Sequence, residues 1–184
     1  SDEATVQAVA EGLVTGAYRF TRYFTGDRKP KGGVKTATLF AEGGKAASLK
    51  PAMDRGVVIG ESINLARELV NLPPNDLPPT ALAEEARKAC VAADVKCTVW
   101  TKKQIAEQKM ELLLAVSRGS GQEPRVVHMI YKPEGATRRV VFVGKGLTFD
   151  SGGLCIKPAK SMGDMKCDMA GAATTLATVI AAAK

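Results

Sequence analysis

The sequence predicts an α/β protein: a mixed, largely parallel sheet flanked by helices, preceded by the tail of a smaller α/β domain. Three observations predict it. From Val95 onward, strand-like and helix-like stretches alternate, the pattern that lays helices against a sheet. An apolar run over Arg138–Val143 ends in a glycine-rich stretch, and the carboxyl ends of strands are where open α/β sheets bind ligands. Four prolines between Asn71 and Pro79 separate two helical patterns.

The elements follow in order. Val6, Val9, Leu13, Ala17 and Phe20 recur at helical spacing, so residues 4–24 read as an amphipathic helix. Gly26–Gly33 is a basic turn, Val34–Ala41 is strand-like, and Glu42–Pro51 is a loop. Ile59, Ile63, Ala66 and Val70 form one stripe of a helix over Asp54–Val70. Asn71–Pro79 reads as an extended, rigid connector, after which Thr80 caps a helix to about Ala93, with Glu84 and Glu85 near its positive end. Val95–Thr101 alternates as a strand, Lys102–Val116 is helical, and Arg125–Lys132 and Arg138–Val143 are strands. The segment from Met169 reads as an Ala-rich, largely apolar helix without a Gly or Pro terminator; such helices are usually buried, so further chain is expected beyond it. The expected organisation is an accessory-domain tail over 1–53, a linker helix over 54–70 and a catalytic region over 71–184.

Composition narrows the function. In 184 residues, 45% hydrophobic content is enough for a core, built mostly from aliphatic residues because aromatics reach only 5%. Four cysteines without CxxC spacing and one histidine, His128, argue against a Cys/His zinc site and for reduced thiols. The acidic N-terminal stretch lacks the pattern of a signal peptide, and no apolar run reaches membrane-spanning length, so a soluble, cytoplasmic protein is expected. A net charge of +7 raises nucleic-acid binding as an alternative, but the Lys and Arg residues are scattered and no recognition motif accompanies them.

The chemistry concentrates in VGKGLTFDSGGLCIKPAKSMGDMKCDMAG, residues 143–171. Lys145, Asp150, Lys157 and Asp168 stand there among glycines; acidic groups suit hard or borderline divalent cations, and an amine suits a polarised carbonyl. Each has a plainer reading. Asp150 fits a cap in a glycine turn, Asp168 fits a helix N-cap, Lys145 and Lys157 fit surface lysines, and Met165 fits a core methionine.

This segment resembles the first signature block of the leucyl aminopeptidase (cytosol aminopeptidase) family of two-metal aminopeptidases. Lys145 and Asp150 in GKGLTFDSGG, Lys157 in IKP and Asp168 in MKCDMAGAA carry the match, and the upstream ESINLARELVNLPPNDLPPTALAEEA is similar to the start of the family's catalytic domain. The resemblance extends from about Val6. It implies metal-dependent hydrolysis of N-terminal leucine and other apolar residues from peptides. It implies two divalent ions (zinc, manganese, magnesium or cobalt), with Lys145, Asp150 and Asp168 as ligands and Asp150 bridging. It implies that Lys157 holds the developing oxyanion and that Met165 lines the pocket for the first side chain. Hexamers, and in some members DNA binding, also belong to the family. A ligand amine at Lys145 would have to be neutral, its pKa strongly lowered by the two nearby dications and a dry strand end.

One departure is large. The family's second motif, NTDAEGR, supplies another metal-binding Asp, a bridging Glu and an Arg that holds bicarbonate; nothing here matches it, and no acidic residue follows Asp168. The chain therefore reads as a piece that binds at most one ion weakly and is inactive alone, a non-catalytic structural subunit being the other alternative.

Overall fold

The computed structural model describes residues 2–40 and 46–184. They fall into two compact units, Ser1–Leu65 and Ala66–Lys184, the division lying within one long helix.

In the first unit, Asp2 caps α1 (Glu3–Ala17) by accepting from the Thr5 N–H at 2.7 Å, satisfying one of the free donors of the first turn. The helix stops at Ala17, short of the expected 24. Tyr18 is already extended, and only Val6 and Ala10 are buried. α2 (Ala46–Asn71) starts eight residues before the expected helix and carries Pro51 inside it. Leu49 and Ala52 are buried with Val6 in one apolar cluster, so tertiary contact holds the turn that proline alone would discourage. The two helices meet through glycines. A Cβ at Gly60 would lie 2.8 Å from the Val14 Cβ, and one at Gly56 would collide with the Gln7 carbonyl. Asn64 Nδ2 donates to the Val14 carbonyl at 3.0 Å beside them. The strand expected at 34–41 is absent over 34–40; residues 41–45 lie outside the described residues, and residues 46–51 of the expected 42–51 loop are helical.

In the second unit, the 71–79 connector is a turn and not extended: the Asp76 and Leu77 N–H groups both donate to the Pro73 carbonyl. α3 (Pro79–Ala92) begins with proline at its first position, so Thr80 lies inside the helix and makes no cap. Leu82, Ala83, Ala86 and Cys90 form its buried face. α3 closes in a Schellman arrangement. Val95 N–H reaches the Cys90 carbonyl at 2.8 Å and Asp94 N–H reaches Val91 at 3.3 Å, with Asp94 at φ +52°. β1 (Lys96–Trp100) follows directly and pairs antiparallel with β2 (Val126–Ile130), Thr98 opposite His128. The helix expected over 102–116 is two. α4 (Lys102–Glu107) starts in a Thr101/Gln104 capping box, and a break with Lys109 at φ +56° precedes α5 (Glu111–Ser117).

The largely parallel sheet is therefore not found. The sheet among the described residues has two antiparallel strands, and Arg138–Val143 is unpaired, with Val140, Val141 and Val143 exposed. A strand is completed by its neighbours' hydrogen bonds, and no ladder partner is present for this run. After a short α6 (Ala159–Met162) and a 3-10 turn (Gly163–Cys167), α7 (Ala170–Ala183) buries Ala173, Leu176, Ala177 and Ile180 along one stripe. Leu176 and Ile180 contribute roughly 2 kcal/mol each, and α7 packs on α3. No helix among the described residues is long and apolar enough to cross a membrane.

Gly60→Val should wedge α1 from α2 at a cost of about 1–3 kcal/mol, seen as faster amide exchange throughout α1. Asp94→Gly should relieve the left-handed backbone and stabilise the second unit by about 1 kcal/mol, seen as a higher midpoint in urea unfolding.

Candidate metal and substrate site

The site is built on a backbone junction. Residues 144–146 lie against the first turn of α7, where Ala172 N–H donates to the Lys145 carbonyl at 2.8 Å. Glycine permits the approach: a Cβ at Gly144 would stand 2.6 Å from both the Gly171 carbonyl and Thr175 Oγ1, and one at Gly171 would stand 3.0 Å from Lys145 N. The junction brings Lys145 to Asp168, Nζ to Oδ1 at 2.8 Å.

The second pair sits on the 150–157 loop. Asp150 accepts from the Gly152 N–H at 2.8 Å, and Lys157 N–H closes the loop on the Ser151 carbonyl at 2.9 Å. Gly152 holds φ +93°, and a Cβ there would collide with the Cys155 carbonyl, so glycine is required. Lys157 Nζ then lies 2.7 Å from Asp150 Oδ2 and 3.3 Å from the Asp150 carbonyl.

The electrostatics link the two pairs. The Lys157 hydrogen bond first, then the Gly152 N–H, hold the Asp150 carboxyl below its ordinary value; the Lys157 and Lys145 charges add to this against burial. Lys145 is raised, chiefly by its hydrogen bond to Asp168, with the Asp168 and Asp150 charges assisting. The Lys145 side chain is 57% exposed and ion-paired, so the ammonium is the favoured form here. Asp168 is not the N-cap of α7. Met169 holds that position, and the Asp168 side chain is turned to Lys145. Met165 is half-buried in the 3-10 turn, where its carbonyl accepts from Asp168 N–H.

The structure thus gathers Lys145, Asp150, Lys157 and Asp168, and sets Met165 three residues before Asp168. The docking role of Gly144 and Gly171 was missed in the sequence reading, although a glycine at each end of the segment was the available signal. A divalent cation fits these residues in part. Asp168 Oδ2 is buried and accepts no hydrogen bond, a cost that a cation would remove. Two carboxylates and an amine are donors for a hard or borderline ion. Yet no group of three or more His, Cys, Asp or Glu side chains suited to a metal occurs among the described residues, so the shell is incomplete.

Similarity to known proteins places the chain in a class of peptidases. Residues 64–184 match the cytosol aminopeptidase family, catalytic domain. The chain belongs to that family. It is 42% identical over 190 residues to a Chlorobaculum tepidum protein named "Probable cytosol aminopeptidase", covering 98% of this chain and 38% of that one. A protein of the same name from Chlorobaculum parvum is 44% identical over 193 residues, covering 100% and 38%. Among solved structures, the bottromycin maturation enzyme BotP in complex with Mn matches with a TM-score of 0.82 at 39% identity, over 97% of this chain and 36% of that chain. Leucine aminopeptidase of Caenorhabditis elegans matches with a TM-score of 0.67 at 30% identity, over 71% and 27%. The chain spans a little over a third of the length of the curated relatives it matches.

Gly144→Val should separate residues 144–146 from α7. The expected result is a large gain in exchange rate at the Ala172 amide, read by NMR, with little change at Thr98 in β1.

Proposed function

We propose that this chain is part of a metal-dependent aminopeptidase that removes leucine and other apolar residues from peptide N-termini. The observation that carries the reading is the buried, unpartnered Asp168 Oδ2 beside the Lys145 amine, in a segment that falls inside the family match. Lys145, Asp150 and Asp168 would hold the divalent ions, manganese or zinc, with magnesium and cobalt as the other candidates; the BotP neighbour was solved with Mn. When bound, such ions acidify water and polarise the scissile carbonyl.

The chain's own residues have distinct parts. Lys157 lies on the loop beside Asp150 and supplies a fixed positive charge for the oxyanion that develops as the peptide carbonyl becomes tetrahedral. Asp150 keeps that ammonium in place through two contacts, from its carboxylate and its own carbonyl. Met165 offers a flexible thioether to an apolar first side chain. The ammonium form of Lys145 must lose its proton before its nitrogen can act as a ligand, so ion binding is coupled to proton release.

In this reading, residues 1–53 are the tail of an accessory domain, 54–70 a linker helix and 71–184 the first half of the catalytic domain. The full-length protein is a cytoplasmic hexamer. A further acidic motif, with its bicarbonate-holding Arg, completes the metal shell, and downstream strands complete the parallel sheet. The chain alone is inactive. No observation favours the nucleic-acid or purely structural alternative.

A chimera tests the proposal: residues 1–184 replace the matching region of the Chlorobaculum tepidum relative. It should release leucine from leucine p-nitroanilide in a manganese-dependent manner, whereas the isolated chain should not. Lys157→Met should lower kcat about a hundred- to a thousand-fold with manganese affinity retained. A folded chimera that binds manganese but releases no leucine would refute the peptidase reading.

A further inference from the structure

Outside the site, two thiols are brought together by the end of α3 and the start of β1. Cys90 is completely buried on the inner face of α3, and Cys97 is half-buried on β1, opposite Met129 in the ladder. The Schellman closure folds the chain back between them, with Val95 N–H on the Cys90 carbonyl at 2.8 Å, so Cys97 returns beneath the last turn of the helix. α3 packs directly on β1, and the two thiols lie within interaction range of each other. The Arg87 guanidinium, one helical turn before Cys90, is anchored on Glu84 at 2.7 and 3.0 Å and lies within electrostatic reach of Cys97. Both cysteines are free thiols here.

We propose that Cys90 and Cys97 are a reversible dithiol/disulfide modification site, oxidised by small disulfides of the glutathione class through initial attack at Cys97. The order follows from access. Cys97 is the thiol that solvent can reach, whereas Cys90 is sealed beneath the helix. Its sulfur attacks one sulfur of the small disulfide, forming a mixed disulfide and releasing one thiolate. Cys90 then loses its proton and attacks the Cys97 sulfur, and the second small thiolate leaves. In total, two protein thiols lose two protons and two electrons, and one small disulfide becomes two small thiols.

Burial first, then the charge and hydrogen bond of Cys97, push the Cys90 thiol up to about 12. The last two causes disappear once Cys97 carries the mixed disulfide, and burial alone then opposes ionisation of Cys90 in the second step. The closed bond ties the end of α3 to β1 and stiffens that corner of the unit. The neighbouring Asp94 at φ +52° is retained, since it already sets the chain reversal.

The test uses the 184-residue chain with Cys155 and Cys167 changed to Ser, which removes the two exposed thiols. The folded protein is incubated with oxidised glutathione and digested with trypsin without reduction. Cleavage after Lys88, Lys96 and Lys102 places the two cysteines on separate peptides, 89–96 and 97–102. The expected product is these peptides joined by a reducible link, with a melting temperature about 5 °C above the reduced form. Cys90→Ser should instead accumulate glutathione on 97–102, and Cys97→Ser should give neither link nor adduct. Because Cys97 is only half-buried, that variant keeps the test sound even if Cys90→Ser fails to fold. A stable adduct on Cys97 with no joined peptides in the folded protein, or a link that forms only in urea, would overturn the proposal.

Discussion

The candidate site depends on one backbone contact, the Ala172 N–H to Lys145 carbonyl hydrogen bond, and on the glycines that let it form. Lys145 and Asp168 are far apart in sequence for an ion pair, and neither position fixes the other. What fixes both is the docking of residues 144–146 on the first turn of α7, whose opposite, apolar stripe is buried. A helix held by Leu176 and Ile180 can present a rigid first turn, and rigidity there becomes placement of the Lys145 nitrogen against Asp168.

The two lysine–aspartate pairs are chemically dissimilar. Lys157 and Asp150 sit on one short loop and are both about one-third exposed, so loop geometry alone pairs them. Lys145 reaches from an exposed position toward a carboxylate that is only 16% exposed, and only one oxygen of that carboxylate is satisfied. An ammonium there neutralises Asp168 without filling its second oxygen. That imbalance leaves one buried carboxylate oxygen unsatisfied, whereas the acceptors of an ordinary ion pair are normally both engaged or solvated.

Much of the local structure was legible. The helix of α3 and the Val95–Thr101 strand follow from residues within one or two turns of each other. So did the chemistry of the site, because a lysine and aspartate pattern among glycines carries its donor types with it. The errors share a cause. Pro51 argued for a loop, yet Leu49 and Ala52 gain enough by packing with Val6 to hold a helical turn. Lys109 stands in a pattern that continues as helix, but its left-handed backbone divides the segment. Arg138–Val143 has the composition of a buried strand and lies exposed and unpaired, since a ladder needs partners that no local pattern supplies.

The sequence by itself determined which groups are available: two carboxylates, two amines, the glycines around them and a helix with one apolar stripe. It determined the family as well, since the spacing of those groups is specific. Tertiary structure alone decided that Lys145 is paired with Asp168, that Asp168 turns away from capping α7, and that Cys90 meets Cys97. These outcomes depend on distance and solvent access, which are set by packing between segments remote in sequence and therefore leave no periodicity to read.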